Sequence, residues 1–321
     1  MRSALVTGGA GFIGSHLAKR LLSDGWEVYV IDNLSTGYIK NLDEVRQSKH
    51  LHVTLDTIDN EPVLTELVDR ADMVFHLAAA VGVRLIVEDP VRTIETNIHG
   101  TELVLKRCAT KGKKVLLSST SEVYGKGSRE SFREDGDLVF GATTRSRWSY
   151  GCSKAIDEFL ALAYHRSRGL PVVIVRLFNT VGPGQVGHYG MVVPRFVEQA
   201  LSGGPIRVYG DGKQVRCFAH VDDVVEVMSR LVDCEAAVGE IFNVGNDKPV
   251  TMSELAERVR TLVNPDAEIT YVPYEEVYGP GFEDIRVRVP DLHKLQAVID
   301  FRPTKDLDQI ILDVKEHLSK A

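Results

Sequence analysis

An α/β fold built on a doubly wound parallel sheet is what this 321-residue sequence predicts, on three observations. Short apolar runs alternate with helix-length amphipathic stretches through the first half, the pattern of strand–helix–strand units. The runs are nearly continuous, as in Pro171-Val-Val-Ile-Val-Arg-Leu177, which suits strands covered on both faces. A glycine cluster, Gly8-Gly-Ala-Gly-Phe-Ile-Gly14, closes the first run and opens the first amphipathic stretch.

The elements follow in order. Ser3–Val6, Glu27–Ile31, His52–Leu55, Met73–Leu77, Lys114–Leu117 and Val172–Leu177 read as strands. Ile13–Ser23, Pro62–Val68, Pro90–Thr110 and Ser149–Ser167 read as the helices between them. Past residue 178 the pattern is punctuated by Gly182-Pro-Gly, Gly203-Gly-Pro, Gly210-Asp-Gly and Tyr278-Gly-Pro-Gly, as expected of a smaller lobe over the carboxyl edge of the sheet. A helix at Asp222–Val232 and a strand at Glu240–Val244 return to the sheet. The lobe is therefore expected to be discontinuous: residues 1–178 plus about 219–245 form the sheet domain, and about 179–218 plus 246–321 form the lobe.

Composition narrows the classes. Hydrophobic residues at 44% and charged residues at 26% are ordinary for a globular chain and exclude disorder, collagen and coiled coil. No apolar run approaches the ~20 residues of a membrane span. The amino terminus lacks a basic segment followed by an apolar one, so a cytoplasmic address is expected. Four scattered cysteines without a CxxC pair predict neither a disulfide framework nor a metal site. A net charge of −7 without a basic tract argues against nucleic acid, although a few local arginines can still bind a small anion.

Gly9, Gly11 and Gly14 satisfy GxGxxG, and Gly8, Gly11 and Gly14 satisfy the TGxxGxxG spacing. Such glycines serve a tight turn, close approach of the backbone to a pyrophosphate, and packing of helix on strand. The phosphates then sit where free N–H groups of a helix start favour negative charge. Asp32 lies 18 residues past Gly14, at the end of the second strand, placed to hydrogen-bond an adenosine ribose. A carboxylate there repels a 2′-phosphate, so NAD is expected over NADP.

Tyr150 and Lys154 stand at i and i+4 on one helix face, where a lysine cation is expected to lower the phenol pKa toward a usable base. Ser118-Ser-Thr-Ser-Glu-Val-Tyr-Gly125 follows the fifth strand and so emerges where open α/β sheets bind ligands. These residues, together with Asp56…Asp59, His76-Leu-Ala-Ala79, Asn97, Phe178-Asn-Thr-Val-Gly-Pro183, Gly210-Asp-Gly-Lys-Gln-Val-Arg216 and His220-Val-Asp-Asp223, resemble the extended short-chain dehydrogenase/reductase family, specifically its nucleotide-sugar epimerases, dehydratases and decarboxylases.

The resemblance implies a Rossmann domain in which Gly8, Gly11, Phe12, Ile13, Gly14, Asp32, Asn33, Asp56, Leu77, Ala78, Tyr150 and Lys154 hold NAD. It also implies that Asn179 and Arg216 hold the diphosphate of a nucleotide sugar, probed by the planar fork of the arginine. Hydride would pass from sugar C4 to NAD while Tyr150 takes the O4 proton beside Thr120. Thr120-Ser121-Glu122 resembles the UDP-glucuronic acid decarboxylases. Arg147, three before Tyr150, and Arg288, in Gly281-Phe-Glu-Asp-Ile-Arg-Val-Arg288-Val-Pro-Asp291, resemble those enzymes too, and two arginines suit a uronic acid carboxylate.

Two departures keep the outcome open: Val181-Gly-Pro-Gly-Gln185 lacks the arginine that follows Gly-Pro in many of those decarboxylases, and no Gly-Pro-Arg run precedes Tyr150. UDP-glucuronate decarboxylation is the first expectation, and C4 epimerisation of UDP-glucuronate or UDP-glucose is the alternative. A non-catalytic NAD-binding protein is a third reading, against which the intact Thr120, Tyr150 and Lys154 argue. The helices Pro90–Thr110 and Ser149–Ser167 correspond to the pair through which the family forms homodimers, so a homodimer is expected.

Overall fold

The computed structural model describes residues 1–81, 89–127, 130–187, 191–278 and 284–320. The chain runs β1 (Ser3–Thr7), α1 (Phe12–Ser23), β2 (Glu27–Asp32), β3 (Leu51–Leu55), α2 (Glu61–Arg70), β4 (Met73–His76), α3 (Pro90–Lys111), β5 (Lys114–Thr120), α4 (Ser149–Arg168) and β6 (Val172–Leu177). It then leaves the sheet through β7 (Thr180–Val181), α5 (Val192–Leu201), β8 (Ile206–Tyr209), β9 (Val215–Arg216) and β10 (Ala219–His220). It returns as α6 (Val221–Asp233) and β11 (Ile241–Val244). The remainder is β12 (Val250–Thr251), α7 (Met252–Val263), β13 (Ile269–Val272), α8 (Tyr274–Tyr278), β14 (Val287–Arg288), α9 (His293–Ile299) and α10 (Leu307–Lys320).

The central sheet has the order β3-β2-β1-β4-β5-β6-β11, with every neighbouring pair parallel. The doubly wound fold expected from the sequence is the fold observed. The strands alternate strictly. Ala4, Val6, Val28, Val30, Val173 and Val175 face α1 and α6, while Leu5, Tyr29, Ile31, Val172 and Ile174 face α2, α3 and α4. Strands buried on both faces need no polar side, which is why their sequences are nearly continuous apolar runs. The winding direction reverses between β1 and β4, opening a crevice at their carboxyl ends.

A third apolar cluster lies away from the sheet and gathers Val193, Phe196, Ile206, Val208, Leu255, Val259, Ile310 and Val314 from α5, β8, α7 and α10. Leu295, Ile299 and Phe301 instead pack with the sheet residues, so the α9 stretch sits with the sheet although it comes late in the chain. A small sheet, β12-β9-β14, overhangs the crevice, with Arg288 in register beside Arg216. Residues 279–283, which hold the last Gly-Pro-Gly turn and the start of the Arg288 segment, lie outside the described residues.

Not every buried strand position is apolar. Arg176 is buried near the end of β6, where its Nε and Nη2 donate to Glu158 of α4 at 3.0 and 2.7 Å, and its Nη1 donates to the Glu134 carbonyl at 3.2 Å. The guanidinium lies 4.7 Å over the Tyr124 ring, and the Ser119 hydroxyl donates to the same Glu158 carboxylate. The pair thus joins β5, β6 and α4 from inside. Removing one partner strands the other charge in low dielectric. We expect Arg176→Leu to lower unfolding stability by about 3–5 kcal/mol in urea titration, several times the loss from a surface arginine.

Candidate active site

The crevice is a cleft of about 870 Å³ that runs from the glycine loop to the overhanging β9–β14 pair. Every residue expected to hold cofactor or substrate or to act in catalysis lines it. Gly8, Gly11, Phe12, Ile13, Gly14, Asp32, Asn33, Asp56, Leu77 and Ala78 line one end, and Thr120, Ser121, Glu122, Arg147, Tyr150, Lys154, Asn179, Arg216 and Arg288 line the rest.

At the dinucleotide end the backbone leaves no room for side chains. Gly8 has φ +70°, and a Cβ on it would stand 2.9 Å from the Ala78 amide nitrogen; a Cβ on Gly14 would stand 2.2 Å from the Gly8 carbonyl oxygen. The loops after β1 and β4 therefore touch, leaving an open trough in front of α1. Asp32 closes the trough. Its Oδ2 accepts from Ala10 N at 2.9 Å and its Oδ1 from Leu34 N at 2.8 Å, which fixes the carboxylate and leaves each oxygen a lone pair for a ribose hydroxyl. Asp56 is fixed in the same way by Thr57 N and Asn60 Nδ2, both at 2.7 Å. These residues fit NAD, which would supply a hydride acceptor here.

At the reacting end, α4 presents Tyr150 and Lys154 inward, and the Tyr150 hydroxyl is hydrogen-bonded to the Thr120 side chain. Thr120 Oγ1 also accepts from Glu122 N at 3.2 Å, which turns the chain out of β5 into a 3-10 turn. One expectation is corrected. Burial, and then the Glu122 charge, push the Tyr150 phenol well above its ordinary range, against the Thr120 hydrogen bond. The Lys154 ammonium that was to lower it is instead ion-paired at 2.8 Å with Asp157, both side chains wholly buried.

The arginines converge as expected, on a partner of the chain's own. Glu122 is ion-paired at 2.6 Å with Arg147 through Oε2 and at 2.6 Å with Arg288 through Oε1. Burial works to raise its pKa, yet Arg288 and Arg147 outweigh burial and hold the carboxyl at about 2. Glu122 is therefore an anion at neutral pH, unable to give a proton. Arg216 contacts both Asp284 oxygens at 3.1 Å, and Tyr274 OH donates to Asp284 Oδ2 at 2.8 Å. Burial, with Arg288 alongside, pushes Arg216 down to about 10. Asn179 donates through Nδ2 to the Cys217 carbonyl at 2.8 Å, leaving its oxygen to the cleft.

Sequence reasoning missed Asp157, Asp284 and Tyr274. Asp157 carried a signal, because an aspartate falls on the apolar face shared with Tyr150 and Lys154. Asp284 and Tyr274 carried none: they reach Arg216 only through the fold of the lobe. Also unforeseen is a buried file in which Thr7 Oγ1 meets His76 Nδ1 at 2.8 Å and His76 Nε2 meets Thr101 Oγ1 at 3.1 Å. Burial, then the Lys154 charge, push His76 down to about 3, so it is neutral.

The family model described as the NAD dependent epimerase/dehydratase family matches residues 4–245. The chain is 43% identical over 309 residues to UDP-N-acetyl-alpha-D-glucosaminuronate decarboxylase of Bacillus cytotoxicus, covering 96% of this chain and 95% of that protein. It is 38% identical over 301 residues to UDP-glucuronic acid decarboxylase 1 of Arabidopsis thaliana, covering 93% of this chain and 66% of that protein. Among solved structures, UDP-glucuronic acid 4-epimerase of Bacillus cereus in complex with UDP-glucuronic acid and NAD superposes with a TM-score of 0.89 at 27% identity over 99% of both chains.

Asp32 generates the first test of the site. We expect dinucleotide titration to give tighter binding of NAD than of NADP, and Asp32→Ala to reduce that preference at least about tenfold, since a charge facing the 2′-phosphate is lost.

Proposed function

Because the chain belongs to the NAD-dependent epimerase/dehydratase family, we propose that it decarboxylates a UDP-linked uronic acid through a 4-keto intermediate. The observation that carries this reading is the pair Arg147 and Arg288 converging beside Thr120 and Tyr150. A buried guanidinium and a half-buried one next to a base for a sugar hydroxyl suit a sugar with a carboxylate at C6. The names of the similar decarboxylases point the same way.

In this reading the sheet domain, residues 1–178 with about 219–245, holds NAD, and the lobe, about 179–218 with 246–321, holds the nucleotide end through Asn179 and Arg216. Tyr150 takes the proton from O4, with Thr120 holding the same oxygen, as hydride leaves C4. The ketone so formed is β to the carboxylate. When the C5–C6 bond breaks, its electron pair moves into the ketone, and Tyr150, now protonated, donates to the oxyanion growing on O4. Carbon dioxide leaves neutral, so an arginine that gripped the carboxylate tightly to the end would oppose the step. Glu122 resolves the conflict. It already occupies both guanidiniums, so an incoming carboxylate shares them, and Glu122 reclaims them as the charge on the substrate disappears. Held ionised, Glu122 gives no proton at C5.

C4 epimerisation is the second reading, and the likeness to a UDP-glucuronic acid 4-epimerase favours it. Incubation with NAD and UDP-glucuronate, UDP-N-acetylglucosaminuronate or UDP-glucose, followed by mass analysis, separates the two. We expect loss of CO₂ from a uronate; unchanged mass with inverted C4 assigns the epimerase, and no turnover of any of the three overturns both. Tyr150→Phe should slow turnover by about 10²–10⁴. Arg288→Ala should depress uronate turnover far more than turnover of the neutral sugar.

We further propose a cytoplasmic homodimer. No helix among the described residues is long and apolar enough to cross a membrane. Val91 and Ile94 on α3 and Ile156 and Phe159 on α4 are exposed apolar side chains, with Phe159 69% exposed. Apolar side chains left exposed on a packed helix pair suit a self-complementary contact between two copies. Light scattering should give a dimer mass for the native chain and a monomer mass for Phe159→Glu.

A further inference from the structure

Tyr150, Lys154 and Asp157 fall at i, i+4 and i+7 of α4, one above another on its buried face. The Lys154–Asp157 pair is wholly enclosed, 2.8 Å between Nζ and Oδ2. Thr101 of α3 faces the Asp157 carboxylate, whose Oδ1 is left without a hydrogen bond of good geometry. The file behind it has only one consistent proton order. Thr7 Oγ1 accepts from Leu77 N and Ala78 N, both at 3.2 Å, so its own hydrogen goes to His76 Nδ1. Neutral His76 must then carry its proton on Nε2 and donate to Thr101 Oγ1, which frees the Thr101 hydrogen to point at Asp157. Lysine and threonine both direct donors at this carboxylate, and nothing in the chemistry proposed above uses it.

We infer that Asp157 is a positioning residue for the tyrosine–lysine pair: by holding the Lys154 ammonium in a buried ion pair it cancels most of the lysine charge felt at Tyr150. The pair is a near-neutral unit, so Tyr150 keeps its proton in the nucleotide-free chain and cannot serve as a base until bound ligands rearrange the charge around it. Asp157 acts on Tyr150 in the same sense directly, as a second anion opposing phenolate. The other charged groups facing Tyr150 are Glu122 and Arg288; Glu158 and neutral His76 face the pair itself, and Arg147 is paired with Glu122. The inference rests on Tyr150 being the base of the proposed reaction.

The test is an ultraviolet titration of tyrosinate in the nucleotide-free protein, with Tyr150→Phe subtracted so that only Tyr150 is read. In the wild type Tyr150 should ionise above the ordinary tyrosine value of about 10. Asp157→Asn keeps the shape, leaves the Lys154 charge uncompensated, and should bring that titration down by about one pH unit or more. The acid limb of kcat/KM should move down with it, whereas a purely structural role would lower stability and leave the limb in place. Superimposable titrations of wild type and Asp157→Asn overturn the inference. If Asp157→Asn does not fold, the wild type decides alone: ionisation of Tyr150 at or below the ordinary value means that the lysine charge is not cancelled. The titration needs no turnover, so failure of the proposed reaction, read by retained activity in Tyr150→Phe, is distinguishable from failure of this inference.

Discussion

The buried pair of Arg176 and Glu158 is the constraint on which the geometry of the cleft depends. A helix packed on a parallel sheet by apolar contacts alone can turn about its axis at small cost, because dispersion has no direction. A two-pronged ion pair does have direction. Glu158 fixes the rotation of α4 against β6, and the Ser119 hydroxyl ties the same carboxylate to β5. Tyr150 lies two turns before Glu158, so its aim at Thr120 follows from that pairing. The same guanidinium covers the Tyr124 ring, which anchors the end of the 3-10 turn that carries Glu122.

Charge is balanced locally in a way that the net charge of −7 conceals. Three guanidiniums, Arg147, Arg216 and Arg288, meet two carboxylates, Glu122 and Asp284, inside one cleft. The surplus is positive, and the low dielectric of the site strengthens its pull on an anion. At the other end Asp32 supplies a negative charge with both oxygens already oriented by backbone amides. The cleft is thus polar in sequence along its length, and a long ligand with hydroxyls at one end and anionic groups at the other has one favourable direction of entry.

Much of this was legible in the sequence because the relevant signals are local. The glycine spacing, Asp32 and the Tyr150–Lys154 repeat each depend on one turn, one strand end or one helix face, and each came out where expected. The arginines were legible only through family resemblance, because β14 reaches β9 across about seventy residues. What the residues do to one another was not legible. Lys154 reads as a cation aimed at a phenol until the fold seats Asp157 on it. Glu122 reads as one carboxylate of a motif until two arginines close on it. Pairwise charge depends on tertiary distance, and no periodicity encodes that.

The strand that delivers Arg288 is two residues long; it pairs with β9, and the residues just after it are bonded to Phe132, whose N donates to the Val289 carbonyl and whose carbonyl accepts from Asp291 N, each at 2.8 Å. The redox face, by contrast, is woven into seven strands and their covering helices. In the proposed reading, chemistry is carried by the wide sheet and substrate choice by a short segment at its mouth. In a lineage of such enzymes the segment around Arg288 could diverge, residue by residue, without disturbing hydride transfer. Selection on which sugar is accepted would then act on one short stretch of chain, and the ancestral oxidation step would pass unchanged from one substrate to the next.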